Sequence, residues 1–381
     1  AVALDSNSFP ALMHAVRLEA RAGNTAALRA LLARAEALGA REPFRSEARA
    51  IAGYAGLSTP VAVARMLDGM PDASVHFVHA IVAGFLERPE LARDAARRLT
   101  APQRPDAVRA EGHVALAHLA LAGGQWRRAA AALDSVAPLN PVAAAWWRSY
   151  FATLPFLEPD PGAVSAAERQ LAAAPPQAAA APLYLELAVE GPAVEVIRRY
   201  NEALLQLAGA QPAAHPPALD CTEVEAGSTR DLCEDLQHGL AAERARRDGH
   251  AAVALAELEA MSMRVPYQLA GRSVYFARTR ERYLRARLLE HAGRLDEAYD
   301  WYAATPNGSR LDYLYLAPTH LARGRIRERQ GNRAAAAAHY RRVLELWAAP
   351  DSGLASLRRQ ASEGLRRLGA ATRGARPATG R

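Results

Sequence analysis

The feature that most limits what this chain can fold into is a spaced triad. A small residue is followed seven positions later by Gly and twelve positions later by Ala. Ala117, Gly124 and Ala129 form one copy. Ala242, Gly249 and Ala254 form a second, Ala286, Gly293 and Ala298 a third, and Gly324, Gly331 and Ala336 a fourth. The spacing has a physical reading as a helical hairpin. The first small residue sits where helix A meets helix B, the Gly ends helix A in a left-handed turn, and the following Ala packs back on helix A. Two looser copies are Val16, Gly23 and Leu28, and Ala80, Glu87 and Ala92, the latter with Pro89 opening its second helix.

Composition supports the same reading. Of 381 residues, 90 are Ala and only 6% are aromatic, so a core of large rings is not available throughout. Ala is the best helix former, and its methyl group lets helices approach closely. The expected fold class is all-α. Between the clear copies, Val142–Pro155 and Gly162–Ala173 read as one hairpin around Trp146, Trp147 and Tyr150; Ala181–Glu190 and Pro192–Ala208 read as another. Gly209 to Asp235 is the longest non-periodic stretch and reads as an inserted loop or junction. Leu354–Leu368 reads as an amphipathic capping helix with Arg358, Arg359, Arg366 and Arg367 outward, and the sequence after Gly369 as a disordered tail. The expected organisation is thus 1–208, 209–235, 236–369 and 370–381.

These triads resemble the tetratricopeptide repeat, whose 34-residue helix-turn-helix unit carries small residues at its eighth and twentieth positions. Tyr302 and Tyr340 stand at the aromatic position of that unit, where Leu133 and Leu258 replace it elsewhere, and Pro141 supplies a terminal Pro. Neighbouring anchors lie 37, 44 and 38 residues apart, so the loops are longer than in the ideal unit. The resemblance implies a right-handed superhelical solenoid of helical hairpins. The stretches "ALDSNSFPALMHAVRLEARAGN" and "YLAPTHLARGRIRERQGNRAAAAAHYRRVLELW" are similar to the repeat tails of bacterial serine/threonine kinases and transcriptional regulators. This implies a docking or sensing module of a longer regulatory protein, without chemistry of its own.

All 47 basic residues are Arg. Without Lys the chain has no phosphate-loop lysine, kinase strand lysine or Schiff-base lysine. The net charge of +7 is concentrated at one end: nine Arg from Arg341 to Arg381 face only Glu345, Asp351 and Glu363. That end suggests anion or nucleic-acid binding as an alternative function, but it carries too few aromatics for base stacking. Cys221 and Cys233 are too few for a zinc site and read as two unpaired, half-buried thiols; a disulfide is the alternative in an oxidising compartment. No apolar run is long enough to span a membrane. The chain starts on Ala1 inside a helical pattern without a signal peptide, as a piece of a longer or processed protein would.

No nucleophile elbow, metalloprotease helix or dinucleotide fingerprint is present, and neither cofactor nor metal is expected. A helical-toroid enzyme would need a paired cleft carboxylate or histidine, and the sequence offers none. His76 and His79 share a helix face but lack a third metal ligand nearby. His113, His238 and His320 occupy a packing position of their repeats. Glu223, Glu225, Asp231, Glu234 and Asp235 read as a solvated loop cluster. The candidate site comes from the groove positions of the resemblance: Arg246 and Arg247, then Arg280, Tyr283, Arg287 and His291, then Arg325, Glu328 and Arg329. Guanidinium forks suit carboxylates, so the expected partner is a protein or an acidic peptide segment.

Overall fold

A computed structural model of the chain describes residues 8–174, 192–209, 219–264, 267–271, 273–307, 309 and 311–374. Among the described residues every regular element is helical. In order these are α1 (Phe9–Ala22), α2 (Thr25–Ala37), α3 (Phe44–Ala52), α4 (Pro60–Asp68), α5 (Asp72–Ala80), α6 (Pro89–Leu99), α7 (Asp106–Ala122), α8 (Trp126–Val136), α9 (Pro141–Ala152) and α10 (Pro161–Ala173). They continue as α11 (Pro192–Ala208), α12 (Ser228–Arg247), α13 (Ala251–Ala260), the single turn α14 (Tyr267–Ala270), α15 (Thr279–His291), α16 (Leu295–Ala304), α17 (Leu316–Arg329), α18 (Arg333–Leu346) and α19 (Ser352–Gly374). Two π-helical turns, Gly53–Leu57 and Ile81–Phe85, extend α3 and α5, and a 3-10 turn at Asp312–Tyr315 leads into α17.

Local chemistry sets the helix ends. The side chains of Asn24, Thr59, Asn140, Asp160 and Asn332 accept hydrogen bonds from first-turn amides. Pro60, Pro89, Pro141 and Pro161 open helices, where their missing N–H costs nothing. The triad glycines Gly124, Gly249, Gly293 and Gly331 hold φ between 76° and 82°, a conformation that penalises any Cβ. Glu87 occupies the equivalent slot in its own hairpin at φ 55°.

Ala117, Ala129, Ala242, Ala254, Ala286, Ala298 and Ala336 are fully buried where the two helices of a hairpin cross. A close approach within the last hairpin is at Gly324. A Cβ there would stand 2.6 Å from Tyr340 Cε1, and Gly364 of α19 flanks the other edge of the same ring. Tyr340 is therefore clamped between two glycines, and α19 covers the last hairpin through it. Helices that are close in the chain pack together (α1 with α2, α5 with α6, α7 with α8, α12 with α13, α15 with α16, α17 with α18 and α19). The Asp312–Tyr315 turn departs from this order, because it packs against α7 and the Ile81–Phe85 turn far upstream. Buried apolar side chains from Met13 to Leu368 consequently form one connected core.

Several expectations need correction. Cys221 and Cys233 are joined in a disulfide and are not free thiols; a twelve-residue separation gave no sign of how the turn would bring them together. Helix α12 starts at Ser228, so Asp231, Glu234 and Asp235 lie on a helix and not in a solvated loop. Asp235 is buried. Its carboxylate accepts from the Ser262 amide at 2.7 Å, the Met263 amide at 3.1 Å and Arg278 Nε at 3.0 Å, and so organises the α13–α15 connection. Helix α19 continues past Gly369 to Gly374. The expected Ala181–Glu190 helix and the last tail residues lie outside the described residues.

Replacing Gly324 by Ala forces a methyl group into the Tyr340 ring. The expected loss is about 1–3 kcal/mol of unfolding free energy, as for other overpacked cores, read from urea denaturation; an unchanged midpoint would contradict the clamp.

Candidate functional site

The expected groove residues converge, but the chain itself occupies the space they line. Arg280, near the start of α15, is only 4% exposed. Its Nη2 lies 3.0 Å from Glu243 Oε2 on α12, and its Nε donates to the Thr153 carbonyl at 3.1 Å. Arg287, two turns on, donates to the Pro155 carbonyl. Between these two guanidinium groups, Phe156 packs edge-on to Tyr283 at 5.8 Å and to Tyr315 at 5.3 Å between centroids. The stretch Thr153–Phe156 thus lies along α15 with two main-chain carbonyls held by arginines and one ring seated among tyrosines.

Arg246 and Arg247 come to the same place through Glu243. Arg246 reaches its two oxygens at 2.6 and 3.1 Å, and Arg247 reaches Oε1 at 3.0 Å. Burial alone would raise the Glu243 carboxyl, but Arg280, Arg246 and Arg247 together hold it down at about 2. Arg325 makes a two-pronged contact with Glu290, 3.1 Å on each side. His291 and Arg329 are exposed, and Glu328 is taken up by Arg367 and Tyr340. Sequence reasoning missed the acids that balance this cluster, Glu243 and Glu281. Glu281 is 2% exposed, accepts from the Tyr200 hydroxyl and lies 3.8 Å from Arg280 Nη1. Both carboxylates are buried away from solvent.

A second polar chain crosses from the N-terminal helices to the last repeat. Glu87 Oε2 lies 3.1 Å from His320 Nε2, His320 Nδ1 lies 2.9 Å from His339 Nδ1, and His339 Nε2 lies 3.2 Å from the Tyr299 hydroxyl. Arg323 Nη2 donates to that hydroxyl at 3.1 Å. One assignment of protons satisfies every link with both histidines neutral. An ionised Glu87 can only accept, so His320 Nε2 carries hydrogen and its Nδ1 accepts from His339 Nδ1–H. His339 Nε2 then accepts from Tyr299. Arg21 also pairs with the Glu87 carboxylate, and Arg342 donates to the Glu87 carbonyl. These contacts hold a non-glycine residue in the left-handed region, which otherwise costs of order 1–3 kcal/mol. The signal was legible in the sequence: Glu87 stands where the other hairpins carry Gly.

His79 and His118 line the far side of the Asp312–Tyr315 turn. His79 donates from Nδ1 to the Ala92 carbonyl (3.2 Å) and accepts from the Tyr313 hydroxyl at Nε2 (3.1 Å). His118 donates to the Val114 carbonyl, and its ring packs on Trp147 and Phe151. Burial lowers His79 to about 4 and His118 to about 3. His76 meets Glu111 at 2.6 Å, fully buried. Among the described residues no group of three or more His, Cys, Asp or Glu is placed to hold a metal ion. His238 pairs with Glu257 at 2.8 Å on a half-exposed face and is not a core residue. No family model, curated protein or solved structure matches the chain.

Two outcomes follow. Arg280→Ala takes the nearest guanidinium group from the buried Glu281 carboxylate and one of three from Glu243, and the expected loss of stability is about 3–5 kcal/mol; denaturation equal to wild type would refute the buried pairing. The histidines give a pH dependence. His79 and His118 have folded pKa values below their unfolded value near 6.5, so the unfolded chain binds more protons between the two. Their stabilisation is complete above about pH 6.5 and is lost as pH falls toward 4 and 3. His118→Asn keeps a donor for the Val114 carbonyl but does not titrate. Its stability should fall less steeply with acid, by about 1.4 kcal/mol per pH unit, in urea titrations between pH 4 and 6.5.

Proposed function

We propose that the chain is a tetratricopeptide-like, right-handed superhelical solenoid that serves as a non-catalytic protein-binding module of a bacterial regulatory protein, with an extended acidic peptide segment as its partner. The observation that carries this reading is the grip of Arg280 and Arg287 on the Thr153 and Pro155 carbonyls, with Phe156 seated among Tyr283 and Tyr315. Guanidinium donors spaced along one helix and an aromatic pocket between them are what an extended peptide needs: main-chain bonds for affinity and a side-chain slot for register. The inner end of the groove is filled by the chain's own segment. The rim, where Arg287, His291 and Arg329 are exposed, is the part open to a partner, and its charge favours acidic side chains or a C-terminal carboxylate.

The Arg-rich end is the weaker alternative. Four of the nine Arg there, Arg342, Arg358, Arg366 and Arg367, are committed to Glu345, the Trp347 carbonyl, Glu363 and Glu328, and the end carries too few aromatics for base stacking. The Cys221–Cys233 disulfide favours an oxidising compartment, because such bonds persist where thiols are not kept reduced. No helix among the described residues is long and apolar enough to cross a membrane.

The test is calorimetric titration of the chain with a set of Glu- and Asp-rich peptides bearing free C-terminal carboxylates. Arg287→Ala and Arg329→Ala should each weaken binding about tenfold, the size of one lost charge-assisted hydrogen bond. Affinities unaltered by both substitutions would remove the groove from consideration.

A further inference from the structure

Away from the groove, a cavity of about 580 Å³ opens between the start of α6, the end of α7 and the end of α18. Its walls include Arg88, Arg93 and Arg342, with Leu119, Gln125 and Leu346. The three arginines are not equivalent. Arg88 Nε is 2.5 Å from Glu90, and Arg342 is 2.9 Å from Glu345 and also donates to the Glu87 carbonyl. Arg93 has no carboxylate or carbonyl partner among the described residues. Partial burial lowers its pKa, and the like charges of Arg97 and Arg128 lower it further.

This is an unusual position for a guanidinium group in this chain, where most half-buried arginines are matched to an acid or a carbonyl. The two acids in the cavity are already taken by Arg88 and Arg342, so Arg93 faces the cavity with uncompensated charge. Helix α6 begins at Pro89 on the cavity wall; it has no side-chain cap, and the acid in its first turn, Glu90, is paired with Arg88. The cavity lies within the size range of small-molecule sites, with apolar area from Leu119 and Leu346 beside the charged wall.

We propose that this cavity binds a small phosphorylated metabolite, with its phosphoryl oxygens on Arg93 and on the free N–H groups of Arg88 and Arg342. Guanidinium groups match phosphoryl oxygens in pairs, and an arriving dianion cancels the repulsion that Arg93 feels from Arg97 and Arg128. The site is independent of the peptide groove: it shares none of that groove's residues, and its failure leaves the peptide reading untouched.

The experiment is calorimetric titration with pyrophosphate at constant ionic strength, on wild type, Arg93→Ala, Arg93→Lys and the exposed α19 variant Arg359→Ala. Saturable one-site binding is expected for wild type and Arg359→Ala. Arg93→Ala should weaken it at least about tenfold, and Arg93→Lys should weaken it less. Without pyrophosphate, Arg93→Ala should melt no lower than wild type, since it removes only repulsion. Absence of saturable heat, equal binding by Arg93→Ala, or a lower melting temperature of that variant without ligand would each overturn the assignment.

Discussion

The structure depends on the contact between the Asp312–Tyr315 turn and the N-terminal helices. Hairpins built on Ala approach closely within a pair, but small side chains cannot fill the space between distant pairs. Tyr313 and Tyr315, both fully buried, do so. Tyr313 meets His79, and the Tyr315 hydroxyl lies 3.1 Å from that of Tyr150 on α9. Aromatic rings carry a large apolar area and end in a group that must find a partner. Here each hydroxyl finds its partner on a helix more than 100 residues upstream. Asp312 anchors the turn by accepting from Thr279 Oγ1 and the Ser309 amide. A local repeat is thereby tied into a body with long-range contacts.

That tie also accounts for which parts could be read in advance. The hairpins were legible because their determinants are local: a glycine that must take positive φ, a small residue at the helix crossing, a Pro at the first helical position. The helical class and the positions of α7, α8, α15 to α18 and their turns all rest on such signals. What could not be read is which segment lies against α15. Arg280 and Tyr283 occupy positions that face inward from α15, but nothing near them in sequence says that Thr153–Phe156 lies against them. The same holds for Glu243 and Glu281, whose burial follows from Arg280 and Tyr200 arriving from other hairpins. Glu87 is an intermediate case. Its place in the triad marked it as departing from Gly, while its partners Arg21, His320 and Arg342 are visible only in three dimensions.

Two buried acids, Asp235 and Glu243, are each answered on more than one side. Asp235 takes two amides and Arg278; Glu243 takes three arginines; Arg278 also reaches the Phe276 carbonyl. Such clusters add little net stability compared with apolar packing, but they are costly to misassemble, since removing one member leaves a bare charge in the interior. In a chain with so many interchangeable alanines, the polar clusters supply what the methyl groups cannot, namely a penalty for pairing the wrong hairpins. The two linked histidines add to this penalty, because their chain of donors closes only when Glu87, Tyr299 and Arg323 are all in place.

The absence of Lys sharpens the division between committed and available charge. An ammonium group is satisfied by water and stays at the surface, whereas a guanidinium group can be drawn inside to bridge carbonyls and carboxylates with fixed geometry. This chain uses Arg in that second way at Arg278, Arg280 and the half-buried Arg358, each bonded to at least one main-chain carbonyl. Against that background an arginine with no acceptor is informative. Arg294 is exposed and still holds Glu297 and Glu259, while Arg93 is partly buried and has no carboxylate or carbonyl partner among the described residues. Solvent cannot fully compensate a half-buried guanidinium group close to two others, so a charge placed there, on a cavity wall, is better answered by an anion than left alone.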